Sequence, residues 1–205
     1  MDMADTSVTA PATARARRAT RRDFVDCAFE ILAESGHKGL TIHELCRKVG
    51  VSTGSFYHHF ANWDEFVAAL LTQWEGDQAQ QMVEAATATS NLRRIEIARD
   101  LASMYQHGAE AAIRAWSLSN AQVRIAQEHV DDERRRHLVS LLRRSGVADD
   151  RADLLASVGL AILVGLQQLE GGADKIPDAM HMYQSLVLAA IDSHDSVGEP
   201  DGVSN

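Results

Sequence analysis

The stretch from Thr41 to Phe60 constrains this chain more than any other part of it. It reads as two short helices joined by a tight glycine turn. Thr41 followed by Glu44 spells a capping box, in which the hydroxyl takes an orphan N–H and the carboxylate reaches back. Ile42, Leu45, Cys46 and Val49 fall at the i, i+3, i+4, i+7 spacing of one buried helix face. Gly50 sits where the chain must take positive φ to leave that helix. Ser52 stands at the cap of the second helix, and Phe56 and Phe60, one turn apart, give it an apolar side. Small polar groups and the Tyr57-His58-His59 cluster lie opposite. Two helices crossed over a short turn, the second polar outward, form a helix-turn-helix, and that points to DNA.

The rest of the chain agrees with an all-α reading. Three prolines and 5% aromatic content in 205 residues, with abundant Ala, Leu, Arg and Glu, favour helices over strands. The net charge of −9 looks wrong for a nucleic-acid binder until it is divided along the chain. Residues 15–63 hold eight Lys/Arg against five Asp/Glu, whereas residues 64–205 hold twelve against twenty-two. The positive end coincides with the motif, and the acidic remainder would be held away from phosphates. Arg15, Arg17, Arg18, Arg21 and Arg22 form a cationic run just before the motif, placed to contact backbone or enter the minor groove. Cys27 and Cys46, the two cysteines, fall on apolar helix faces, which suits buried thiols in a reducing cytoplasm better than a disulfide framework. No apolar run reaches the ~18 residues of a membrane span, and the N-terminus lacks the apolar core of a secretory signal.

Periodicity and punctuation predict about nine helices. The first runs from about Arg18 to Ser35 and stops at Gly36, and the motif helices follow at 42–48 and 53–59. Asn62 and Glu65 cap a long helix from Trp63 to about Ala86, before a break at 87–91. One helix is expected over Leu92–Trp116, with others near 120–127, 130–144, 149–170 and 176–193. Leu154–Leu166 is apolar nearly all round, so every side of that helix should be covered. Its Ser157, Ala161 and Gly165 form a small-residue stripe at four-residue spacing, which fits either a central core helix or a subunit interface.

Thr41, the Leu45-Cys46 pair, Gly50-Val51-Ser52, Gly54, Tyr57 and His59-Phe60 together resemble the signature of the TetR family of bacterial transcriptional regulators. The resemblance reaches back through Phe24, Ala28, Ile31, Leu32, Gly36 and Gly39 and forward to Glu65 and Phe66, covering roughly residues 18–78. One departure is Trp63, which stands where the family usually has a lysine held to a DNA phosphate. The resemblance implies a three-helix DNA-binding domain over residues 15–62 and a larger helical domain for effector binding and dimerisation over 63–194. Polar tails at 1–14 and 195–205 would flank them. It also implies that the last two long helices pair two subunits, bringing Ser157, Ala161, Gly165, Tyr183 and Val187 to the interface.

The expected DNA contacts follow from the motif. The N-terminal residues of a recognition helix face base edges, so Thr53 and Ser55 can read bases while Gly54 lets the backbone approach. Tyr57 and His59 match the family's phosphate contacts, which set register without carrying sequence information. Arg17, Arg18, Arg21, Thr41 and Ser52 complete the set. An effector pocket in the middle helices would draw on Trp74, Met104, Tyr105, His107 and Trp116, and nearby Glu96, Asp100 and Glu110 leave a cationic ligand open. Catalysis is not expected. His43-Glu44 opens a zincin-like motif, but Arg47 occupies the position of the second ligand, and no nucleophile elbow, phosphate loop or dinucleotide fingerprint appears. The expected partners are therefore an operator duplex, a second copy of the chain and a small effector, with no cofactor, metal or membrane. The rival expectation is a DNA-binding regulator controlled by another protein.

Overall fold

The computed structural model describes residues 19–86 and 90–195. Arg17, Arg18 and the two expected tails lie outside those residues, apart from Asp195 at the end of the last helix. Among the described residues the chain forms nine α-helices, one 3-10 turn and no strand. The helices are α1 (Arg21–Gly39), α2 (Ile42–Val49), α3 (Thr53–His59), α4 (Trp63–Ala86), α5 (Asn91–Met104), α6 (His107–Ser117), α7 (Ala121–Arg144), α8 (Asp149–Gln168) and α9 (Ile176–Asp195).

The number of helices agrees with the expectation only because two differences cancel. The single helix expected over 92–116 is two, α5 and α6, separated where Tyr105 (ψ 151°) and Gln106 (ψ 72°) leave helical geometry. Neither residue is a helix breaker, so the pattern hides the bend, and its cause is tertiary. Turning the chain there lets α6 press on α1, where a Cβ added to Gly108 would come within 3.2 Å of the Ala33 Cα and carbonyl oxygen. Conversely, the helices expected at 120–127 and 130–144 are one continuous α7, because Val123, Ala126, Gln127, Val130 and Arg134 carry a buried stripe straight across the expected gap.

Capping fixes the helix starts. Thr20 and Asp23 form a full capping box for α1, the Asp23 amide donating to the Thr20 hydroxyl at 3.2 Å while Asp23 accepts the Thr20 amide at 2.7 Å. A kink at Gly36 (φ 67°, ψ −177°) interrupts α1 where its end was expected, and a last turn then runs to Gly39. The Thr41 box is only half made. Thr41 accepts the Glu44 amide at 3.2 Å, but the Glu44 carboxylate turns to Arg47, at 2.8 and 2.5 Å. Gly50 takes φ 80°, as the turn requires.

Two main cores result. The first gathers Phe24, Ile31, Leu45, Phe56, Phe60, Phe66, Leu70 and Ile113, and so unites α1–α4 with α6 and part of α7. Its aromatic rings pack edge-on, with centroids of Phe24–Phe56 at 5.7 Å and Phe60–Phe66 at 5.2 Å, a geometry adding about 0.5–1.5 kcal/mol per pair beyond burial. The second core joins α5, α7, α8 and α9 through Ile95, Leu141, Leu142, Ala156 and Val187.

In the single chain α8 keeps one face free. This helix is not covered on every side: Leu154 is 66% exposed, and Ser157, Ala161 and Gly165 face solvent, with nothing within 4 Å of a Cβ added to Gly165. The close helix–helix approach lies one face away, at Gly159, where an added Cβ would meet the Tyr183 ring at 2.7 Å. Tyr183 and Val187, expected at a subunit interface, are buried within the chain (9% and 1% exposed), and the Tyr183 hydroxyl donates to the Leu155 carbonyl at 2.7 Å. The large apolar residues of α9 that face outward are instead Met182 and Leu186, because α9 turns its 180, 183, 187 stripe toward the core.

Candidate nucleic-acid interface and core cavity

Helix α3 is short and is held from beneath by Phe56, which is fully buried. Its outer side carries Thr53, Gly54, Tyr57 and His58, all exposed, with Ser55 and His59 half-buried at the edges. Thr41 and Ser52 are exposed at the starts of α2 and α3. Ser52 occupies the N-cap position, but its hydroxyl makes no capping hydrogen bond, which leaves that group on the outer surface. Tyr57 keeps over half of its surface exposed, and the Phe56 ring meets it edge-on at 5.4 Å, fixing the direction of the phenol.

Arg21 and His59 do more than face outward. The Arg21 Nη1 donates to the His59 carbonyl and to the Glu65 carboxylate at 2.8 Å, and its guanidinium lies 4.3 Å from the Phe60 ring centroid. One side chain thus ties the start of α1 to the end of α3 and the start of α4. The Ala61 amide and then Arg21 hold the Glu65 carboxyl below its usual range. The His59 ring rests 5.6 Å from that of Phe24. Trp63 is half-buried and packs against Phe56 and Phe66, with centroids at 6.5 and 5.1 Å. Where the family pattern has a cation, this chain has one more wall of the aromatic core.

Inside the body lies a polar network that the sequence reading missed. Glu110 and Arg134 are 6% and 4% exposed and pair at 2.5 Å. The same Glu110 carboxylate accepts from Gln78 at 3.1 Å, Trp74 at 3.3 Å and Gln167 at 3.4 Å. Four helices, α4, α6, α7 and α8, therefore meet at one carboxylate. Burial works against the charge of Arg134, but Glu110 beside it raises its pKa further. The signal was present in the periodicity: Arg134 continues the Val123, Gln127, Val130 stripe of α7, and Glu110 sits among Ala109, Ala112 and Ile113 on the buried side of α6.

Next to that network, α5, α7, α8 and α9 line a cavity of about 110 Å³. Its wall is mostly aliphatic, from residues such as Leu138, Leu141 and Leu163, with Arg99, Tyr105, Arg134, His137, Tyr183 and Gln184 as polar members. Of the five residues expected in an effector pocket, Tyr105 lines it. Its ring lies 4.7 Å from the Arg134 guanidinium. Trp74 and Trp116 are core residues of the other cluster, the first bonded to Glu110 and the second stacked on His37 at 6.3 Å. His107 reaches Gln167 at 3.2 Å, outside the cavity wall. Met104 is 76% exposed and points away, because the helix ends at that residue. None of Glu96, Asp100 and Glu110 lines the cavity.

A helix-turn-helix with an outward polar recognition helix, fused to a helical body with its own cavity, defines a DNA-binding transcriptional regulator. The model for bacterial regulatory proteins of the tetR family matches residues 24–70, the stretch that holds the helix-turn-helix. It is 26% identical over 181 residues to the transcriptional regulator BetI of Rhizobium meliloti, covering 86% of this chain and 83% of the relative. A transcriptional regulator from Rhodococcus sp. Rha1 shares the fold at TM-score 0.69 and 20% identity, over 86% of this chain and 98% of its own. Another, from Saccharomonospora viridis in complex with choline, does so at TM-score 0.68 and 19% identity, over 80% and 95%.

Proposed function

We propose that this regulator is a repressor of the bacterial cytoplasm that binds an inverted-repeat operator as a two-fold homodimer and leaves it when a small ligand fills the cavity. Thr53 and Ser55 read base edges, Gly54 admits the backbone to the groove, and Thr41, Ser52, Tyr57 and His59 hold phosphates. Arg17 and Arg18 add charge from the N-terminal arm. The observation that carries the reading is the shared hub. Arg134 lines the cavity and pairs with Glu110 of α6, and α6 in turn sits against α1 at Gly108 and Ala33. A ligand that moves this hub has a packed route to the recognition helix. The fold shared with a choline complex supports a small-molecule site in a body of this kind. The exposed face of Leu154, Ser157, Ala161 and Gly165, beside Met182 and Leu186, supports dimerisation, since apolar surface of this extent marks an interface more often than a monomer's exterior.

The test is footprinting with sedimentation. A dimer should protect two half-sites one or more turns apart, at roughly 10 bp per turn. Effector binding should lower operator affinity by about 5–150-fold, and operator should weaken the effector by the same factor. A monomer at micromolar concentration that binds one half-site tightly overturns the dimer. An effector that binds without changing operator affinity overturns release and returns control to a protein partner.

A further inference from the structure

We propose, building on the ligand-released reading above, that the cavity is selective for a small apolar carboxylate and rejects cations. No Asp or Glu is among the residues that line it, whereas Arg99 and Arg134 are. The acids that neutralise these arginines stand behind them: Glu110 holds Arg134 from the side of α4 and α6, and Asp100 holds Arg99 at 2.5 Å from the exposed surface. A ligand in the cavity therefore meets guanidinium groups and no carboxylate, and a cation there would lose its hydration with no counter-charge.

The hydrogen-bond inventory points the same way. Arg134 spends Nη2 on Glu110 and Gln78, while its Nη1 and Nε are buried with no partner. The Nε2 of His137, on the same wall, is also buried without one. Of the side-chain acceptors on the wall, Gln184 Oε1 already takes Arg99 at 2.7 Å, and Tyr105 lies against Arg134. Two guanidinium nitrogens of Arg134 buried without a partner describe a site that wants an acceptor oxygen, best an anionic one. The remaining wall, including Leu138, Leu141 and Leu163, suits an aliphatic or single-ring body. At about 110 Å³ the cavity lies below the usual ~300–1,000 Å³ of drug-sized sites, which limits the ligand to a compact molecule.

Calorimetric titration of the full-length protein with matched probes tests this: butyrate, hexanoate, octanoate and benzoate, each against its amide, plus choline and benzyltrimethylammonium. At least one carboxylate should bind about tenfold or more tighter than its amide, with no heat from the ammonium probes. Arg134→Lys keeps a cation for Glu110 but lacks Nε and Nη1, and should erase that preference. Ala102→Leu fills the cavity without touching the buried pair, so it should abolish binding even if the arginine variant fails to fold. Binding of no carboxylate, or equal binding of amides or ammonium compounds, overturns the proposal. Operator affinity measured alongside separates the two ideas. Selective carboxylate binding with operator affinity unchanged removes release but keeps the ligand class. Release by choline or an amide alone keeps release and removes the class.

Discussion

Replacing Glu110 by leucine should be among the most destabilising single changes in the chain. The carboxylate is 6% exposed, its partner Arg134 is 4% exposed, and it accepts hydrogen bonds from Arg134, Gln78, Trp74 and Gln167 at 2.5–3.4 Å. Removing it leaves a guanidinium charge buried without a partner, a loss of about 3–5 kcal/mol. In a chain of 205 residues each kcal/mol lowers the melting temperature by about 2–4 °C, so the variant should melt roughly 6–20 °C lower. The companion change, Arg134→Met, should be costly for the same reason, since it strands the carboxylate. The double variant, E110L/R134M, removes both charges and replaces them with apolar volume. It should recover at least about 2 kcal/mol over the worse single variant, because no isolated charge remains, though Gln78 and Trp74 still lose an acceptor. Urea denaturation at one fixed protein concentration gives the four corners of the cycle, concentration being held because dimerisation would otherwise shift the midpoint. A double variant no more stable than the weaker single one would refute the argument, since the cost would then lie in packing and not in stranded charge.

Other outcomes follow from the same geometry. Gly108→Ala pushes a methyl to 3.2–3.3 Å from Ala33 and should lower stability by about 1–3 kcal/mol in urea titrations, despite alanine's better helix propensity. Tyr57→Phe should weaken binding to all duplexes alike, whereas Thr53→Ala should relax preference at one base pair, by about 1–3 kcal/mol of discrimination in competition assays. Trp63→Lys should steepen the salt dependence of operator binding by about one ion while loosening the Phe56–Phe66 cluster. Burial, with Glu30 adding to it, pushes the Cys27 thiol up to about 11, so it should resist thiol reagents at pH 8 until the protein is unfolded. Burial lowers the pKa of both His107 and His137 below the ordinary 6.5, and Arg144 lowers the latter further. The unfolded chain then binds more protons than the folded one, so their contribution is full above pH 6.5 and falls as pH drops below it, measurable as a declining urea midpoint.

The parts of the fold legible in the sequence were those set by local chemistry. Gly50 and the Ile42–Val49 stripe placed α2, and Asn62 placed the start of α4, whose Glu65 amide donates to the Asn62 side chain at 2.8 Å. What escaped was set by distant partners. Nothing local announces the bend at Tyr105 and Gln106, which exists because α6 packs on Ala33, seventy-odd residues earlier in the chain. The register of α9 escaped for a related reason: Tyr183 and Val187, expected at a subunit interface, are buried within the chain against α8, whereas Leu154 and the small-residue stripe of α8 remain on the surface. The candidate DNA face was readable because a recognition helix must be local to work. The cavity was not, because its wall draws on four helices, and a buried arginine in a pattern of apolar residues looks like any surface arginine until the register of α7 is followed through Arg134.

The arrangement of the hub bears on which helix would transmit a ligand's presence. Under the proposed release mechanism α4 is the obvious lever, since it runs from the motif into the body and contributes Trp74 and Gln78 to the Glu110 carboxylate. Both contacts are hydrogen bonds from neutral donors to a carboxylate, at 3.1–3.3 Å and worth about 1.5–3 kcal/mol each, and they can stretch. Helix α6 is held differently. It carries Glu110 itself, and it meets α1 at Gly108 with no room for a methyl and at Trp116 with a ring stacked on His37. Packed backbone resists compression more steeply than a hydrogen bond resists stretching. A ligand oxygen that draws Arg134 toward the cavity would therefore pull on Glu110, and α6 could not follow without carrying α1. Because α1 holds α3 through the Phe24 contacts with Phe56 and Phe60, the recognition helix moves with it. Under the proposed release mechanism the coupling would run through α6 and α1, with α4 as a tether.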